Sequence, residues 1–160
     1  MIEIKHYNDC NKQQIIEMIL EIQNNEFNIP FTLKDQPDLE SIASFYQINK
    51  GNFWVALHDD KVIGTIALID IGRSQAALRK MFVAKEFRGN EYGIAHKLLS
   101  TLIEWCRSQD IQEVYLGTVS ILLAAQRFYL KNGFNEIDKQ DLPASFPLIS
   151  VDTKFYCLKI

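Results

Sequence analysis

Apolar and polar positions alternate over Ile2–Tyr7, where Ile2, Ile4 and His6 fall on one face and Glu3 and Lys5 on the other, so the chain opens as a strand. From Asn11 to Asn24 the period lengthens: Ile15, Met18, Ile19 and Ile22 recur at helical spacing. Pro30 and Pro37 break the next stretch into a loop, after which Asp38 is placed to cap a short helix through Tyr46. Residues 53–58 (FWVALH) and 61–70 (KVIGTIALID) flank Asp59-Asp60 and predict a β-hairpin, and Ala77–Ala84 forms the next strand. A helix then runs to about Ser108, with Ile94, Leu98, Leu102, Ile103 and Cys106 on its buried stripe. Residues 113–119 (EVYLGTV) have the continuous apolar character of a strand covered on both faces. A helix over Ile121–Lys131 ends at Asn132-Gly133, and strands over 134–137 and 151–160 close the chain around a loop carrying Pro143 and Pro147. The predicted order is βα(α)βββαβαββ, an α/β chain with a mixed sheet flanked by helices. With no linker or internal repeat, residues 1–160 are expected to form a single domain.

Between the strand at Ala77–Ala84 and the following helix lies a charged, glycine-containing turn, KEFRGNEYGIA. A strand–loop–helix junction gathers unpaired N–H groups and the positive end of a helix dipole, which suits a phosphate. Gly93 puts no side chain between backbone and ligand, and Ala95 keeps the first helical turn slim. Charge is unevenly spread around this loop. Residues 1–72 hold 5 Lys/Arg against 11 Asp/Glu, residues 73–97 hold 6 against 2, and the remainder 6 against 7. A positive island in a chain of net charge −3 points to a compact anionic ligand and argues against nucleic acid. Lys97, Arg127 and Lys131 are read as solvated helix-face residues, and Glu91 as a capping or surface carboxylate turned away from any phosphate.

Composition adds exclusions. At 48% hydrophobic and 23% charged, the chain reads as a soluble globular protein, with no apolar run long enough for a membrane span. MIEIKHYND carries acids where a signal peptide needs bases, so the cytoplasm is the expected compartment. Cys10, Cys106 and Cys157 are odd in number and widely spaced, which predicts reduced thiols and neither disulfides nor a metal site. GxGxxG and GxxxxGK[ST] loops are absent, which disfavours other nucleotide-binding α/β enzymes.

The element order and two motifs resemble the GNAT superfamily of acyl-CoA-dependent N-acetyltransferases. The first is Asn90-Glu91-Tyr92-Gly93-Ile94-Ala95, similar to the family's Q/R-x-x-G-x-G/A loop, with Arg88-Gly89 two residues earlier. Asn90 stands where Gln or Arg is usual, so either Asn90 fills that position or Arg88 reaches the same phosphate from a longer turn. The second is AAQRFYLKNGF (124–134), similar to A-x-x-L/F-Y-x-K-x-G-F, with Leu122 where the family commonly has Asn.

The resemblance implies acetyl-CoA as co-substrate, without a metal, bound along Met81, Phe82 and Val83 and around Arg88, Gly89, Asn90, Glu91, Tyr92, Gly93, Ile94 and Ala95. It implies that the strands at 77–84 and 113–119 splay apart to admit the thioester, with a strand amide stabilising the developing oxyanion. It implies Tyr129 as the general acid for the leaving thiolate, and a small-molecule or peptide amine as acceptor. A homodimer is possible. The alternative function is a non-catalytic CoA-binding or regulatory domain, against which retention of Tyr129 argues. No general base is identifiable: His6, His58 and His96 are isolated, and Glu26, Asp70 and Glu136 are the candidate carboxylates. Phe27, Phe31, Phe146 and Tyr156 are expected walls of an acceptor pocket, and the acidic balance of residues 1–72 is compatible with a cationic amine.

Overall fold

A computed structural model describes residues 1–160. Seven strands form one sheet: β1 (Ile2–His6), β2 (Asn52–His58), β3 (Lys61–Gly72), β4 (Gln75–Val83), β5 (Glu113–Thr118), β6 (Asn135–Ile137) and β7 (Lys154–Lys159). Their spatial order is β1-β2-β3-β4-β5-β7-β6. Every pair is antiparallel except β4 and β5, which run parallel because α3 (Ile94–Ser108) crosses between them. The helices α1 (Lys12–Leu20), α2 (Ile42–Tyr46) and α4 (Leu123–Lys131) complete the layers.

Local chemistry explains the joints. Asp59 and Asp60 both take positive φ, the two-residue turn that matches strand twist, so the β2–β3 hairpin is as expected. The β3–β4 hairpin turns the same way at Arg73 and Ser74, with φ of 55° and 59°. Neither is a glycine or asparagine, so this turn carried no sequence signal, and both strands extend further towards it than periodicity suggested. Gly133, at φ 92°, stops α4 as expected.

Two expectations need correction. The first helix is shorter than Asn11–Asn24: α1 ends at Leu20 and widens into a π-helical turn over Glu21–Glu26. That turn directs Gln23 inward, where its amide exchanges hydrogen bonds with Gln36 at 3.0 and 2.8 Å. Asp38 does not cap a helix. It is buried, accepts a hydrogen bond from the Tyr46 hydroxyl, and lies 3.6 Å from Lys80 Nζ.

The sheet separates two cores. On one face Leu78, Val114 and Leu116 pack under α3 with Leu98 and Leu102, and Tyr129, Phe134 and Tyr156 join them. On the other, α1 and α2 cover Phe53, Val55 and Ala67, while Ala77, Tyr115, Phe146 and Phe155 form a third cluster further along. Strand β5 is therefore covered on both faces, as its apolar run predicts.

Candidate active site

Strands β4 and β5 pair only over Gln75–Ala77 and Glu113–Tyr115. Beyond Ala77, β4 stays with β3 while β5 stays with β7 as far as Thr118, and a gap opens between them. A bulge drives the divergence. Ala67 faces Arg79 but Thr65 faces Phe82, so two residues of β4 stand opposite Ile66. Lys80 takes φ of 51° there, and its carbonyl accepts a hydrogen bond from Thr65 Oγ1 at 2.7 Å.

The bulge decides what lines the gap. The N–H of Ala84 donates to Ile63 on β3, so by strand alternation the N–H groups of Met81 and Val83 point away from β3, towards the opening. They face no strand and are placed to donate to a ligand. Leu78, Leu116, Leu122, Ala125 and Tyr129 line one side of the cavity; Arg79, Phe146, Pro147 and Asp152 line the other. Its volume is about 140 Å³. Sites that enclose a whole drug-sized ligand run from roughly 300 Å³. This cavity is therefore smaller than a site that encloses a whole ligand of that size.

Tyr129 is 6% exposed, and its hydroxyl makes no hydrogen bond to the protein. Burial, reinforced by the nearby Asp152 carboxylate, pushes the phenol well above its ordinary value, so it stays protonated at physiological pH. Asp152 has no ion-pair partner, and burial pushes its carboxyl up to about 6 despite the opposing pull of Arg79 and Lys80. A carboxylate poised there takes a proton near neutrality.

Asp152 owes its position to Gly117. A Cβ at Gly117 would lie 2.6 Å from Asp152 Oδ2 and 3.1 Å from Phe155 Cε1. Gly117→Ala is therefore expected to displace the carboxylate and to cost about 1–2 kcal/mol, the usual range for mild overpacking. Chemical denaturation of the variant measures this.

At the mouth of the gap, Lys85–Phe87 form a single turn, and Gly93, at φ 62°, precedes α3. The N–H of Gly93 donates to Gly89 at 3.2 Å. Those of Gly89, Asn90, Glu91, Tyr92, Ile94, Ala95 and His96 find no acceptor in the protein. Together with the N-terminus of a 15-residue helix, they make a concave set of donors suited to an anion. Here only backbone is on offer from some of the expected residues. Ile94 is in the core, and Tyr92 packs on Phe87 at 5.4 Å.

Arg88 is directed elsewhere. Its Nε donates to Val83 O at 2.8 Å, and its terminal nitrogens make a two-pronged pair with Glu26, with Phe27 beneath the guanidinium at 5.8 Å. Asn90 and Glu91 are exposed. Of the expected acceptor walls, Phe31 and Phe146 line the cavity, while Tyr156 is sealed in the core against Tyr129. The candidate bases are all engaged outside the gap: Glu26 with Arg88, Asp70 with the N–H groups of Lys50 and Gly72, and Glu136 with Lys154. Asp152 carried no motif or spacing that marks it in the sequence. No three His, Cys, Asp or Glu side chains are grouped as a metal site. No helix is long and apolar enough to cross a membrane.

A mixed sheet whose one parallel pair opens towards a helix-terminal donor loop defines the GNAT acyltransferase fold. The chain belongs to the acetyltransferase (GNAT) family, whose profile matches residues 16–134. It is similar to a GNAT-family acetyltransferase crystal structure from Staphylococcus aureus Mu50, with a TM-score of 0.96 and 45% identity over 99% of both chains. The PaiA N-acetyltransferase of Thermoplasma acidophilum, solved in complex with coenzyme A, shares the fold at a TM-score of 0.74 and 21% identity over 100% of this chain and 99% of that one. Among curated relatives, rat N-acetyltransferase 8F1 is 30% identical over 72% of this chain and 54% of its own length. The chain thus spans about half of that longer protein.

Proposed function

We propose that this protein transfers an acetyl group from acetyl-CoA to a primary amine by direct attack within the β4–β5 gap. The observation that carries the reading is the pairing, across one opening, of a buried phenol without a protein partner and a carboxylate near neutrality. The free amides between Gly89 and His96 suit the pyrophosphate of CoA, and use of CoA by this chain is in keeping with the T. acidophilum protein of the same fold, which was solved in complex with coenzyme A. When bound, acetyl-CoA supplies an activated acyl group on a thiol leaving group.

The residues then have distinct tasks. Asp152 accepts a proton from the acceptor ammonium, releasing the lone pair that attacks the carbonyl carbon. The Met81 and Val83 amides are placed to stabilise negative charge developing on the carbonyl oxygen. Tyr129 gives its proton to the departing sulfur as the carbon–sulfur bond breaks, and its phenolate recovers one from the attacking nitrogen, which sheds its second proton as the amide forms. Calorimetry with CoA and thiol release with a panel of amines test the proposal. Absence of CoA binding would refute it.

The Arg88–Glu26 pair bears on the cofactor step. In this reading the pyrophosphate competes with Glu26 for the guanidinium. Glu26→Gln is expected to tighten CoA binding by up to about fivefold, the range of a partly exposed ion pair. Calorimetric comparison of the variant with the parent checks it, and unchanged or weaker binding would remove Arg88 from the phosphate site.

A further inference from the structure

Two consecutive basic residues, Arg79 and Lys80, serve the same face of β4. In regular strand geometry neighbours point to opposite faces. Arg79 shares the face of Ala77, whose contacts are Phe146 and Phe155, on the side away from α3. Lys80 should turn towards α3, but its positive φ within the bulge brings Nζ back to the α1–α2 side, 2.6 Å from Gln36 Oε1 and 3.6 Å from Asp38 Oδ2.

The two cations differ in what they have left to give. Lys80 is enclosed, its charge is balanced by Asp38, and burial lowers its ammonium to about 8. Arg79 has neither an ion pair nor a hydrogen bond from its guanidinium, although it is half-buried and lines the cavity. Asp152 lines the same cavity and likewise has no salt-bridge partner, so it and Arg79 do not neutralise each other within 4.0 Å. One free guanidinium and one free carboxylate thus face a shared space, with Phe31, Phe146, Pro147 and Ile149 as apolar walls.

Resting on the acetyl-transfer reading above, we propose that the acceptor is a small amine that also carries a carboxylate, an amino acid or amino-acid conjugate, with Arg79 as the carboxylate anchor. The ammonium of such a zwitterion pairs with Asp152 and its carboxylate with the planar guanidinium, a geometry that favours two parallel hydrogen bonds. An apolar substituent lies against the aromatic and proline walls. A polyamine or a protein lysine side chain offers Arg79 nothing, and a second ammonium would be repelled by it. The acidic excess of residues 1–72 therefore does not describe the cavity, where Arg79 is a cation with no ion pair of its own.

The test uses amino acids with apolar side chains, each paired with the amine lacking its carboxylate, alongside spermidine and a lysine-containing peptide, with turnover read as thiol release. The unaltered protein is expected to favour the carboxylate-bearing member of each pair by about 10–100-fold in kcat/KM, the range for a hydrogen-bonded charged group. Arg79→Gln is expected to bring that ratio close to one, mainly through KM for the acceptor, and Arg79→Lys to restore part of it. The paired comparison in the unaltered protein stands even where a variant fails to fold. Preference for the decarboxylated amines, spermidine or the peptide overturns the assignment, as does failure to acetylate any carboxylate-bearing amine. Calorimetry with CoA on the same sample separates the two levels: CoA binding with the wrong acceptor preference removes only Arg79's role, whereas no CoA binding removes the acetyl-transfer reading itself.

Discussion

Tyr129→Phe is expected to lower kcat by about 10²–10³-fold, within the range of a lost general acid, while the Kd for CoA stays unchanged. The phenol adds only an oxygen to a ring that is already packed, against Phe134 at 5.4 Å and Tyr156 at 5.9 Å. Removing that oxygen leaves the ring contacts in place. Because the hydroxyl makes no hydrogen bond to the protein, its loss orphans no buried partner, and folding stability should hardly change. A structural role for Tyr129 would give the opposite pattern: an altered melting temperature with turnover preserved. Turnover equal to that of the parent would dismiss the phenol from the mechanism.

Asp152→Asn should be the second large effect, a fall in kcat/KM of about 10²-fold or more. In the parent, kcat/KM should rise as pH passes through about 6, where the Asp152 carboxyl ionises. The asparagine variant should lack that acid limb. Stability should move the other way. The folded carboxyl sits above the ordinary value near 3.8, so the folded state holds its proton more firmly than the unfolded chain does. That contribution favours folding below about pH 4 and is lost as pH climbs through about 6. Asparagine avoids the cost of a buried charge, so its melting temperature should exceed that of the parent above pH 6, and the difference should shrink towards pH 4. A gain in stability paired with a loss of rate is the mark of a group kept for function. A variant as active as the parent at neutral pH would rule out Asp152 as the base.

The elements on which the site stands were readable from contiguous residues. Amphipathic period places α3 and its buried stripe, the Asn132-Gly133 pair ends α4, and the apolar run of β5 marks a strand covered on both faces. Each of these is a local property, set within one or two helical turns or a few strand residues. The donor loop belongs with them. Gly93 and the amides around it act through their own backbone, so the loop's chemistry is carried by its own segment.

What local pattern could not convey is which way a bulged strand points its side chains. Alternation would send Arg79 and Lys80 to opposite faces, yet both serve one, because two residues of β4 stand opposite Ile66. Nor does anything near Asp152 announce a base. Its function depends on Gly117, 35 positions away, leaving space for it, and on Arg79 and Tyr129 reaching the same cavity from other strands and helices. Arg88 shows the same limit: its position in the turn suggested a phosphate ligand, while the fold brings Glu26 within reach of its guanidinium. The strand and helix periods of β5 and α3, the glycine stop of α4 and the backbone donors of the loop were thus determined by the sequence alone, since each depends on neighbours along the chain. The pairing of acid, base and anchor was decided only by tertiary structure, because strand register and the opening between β4 and β5 set which distant side chains share one space.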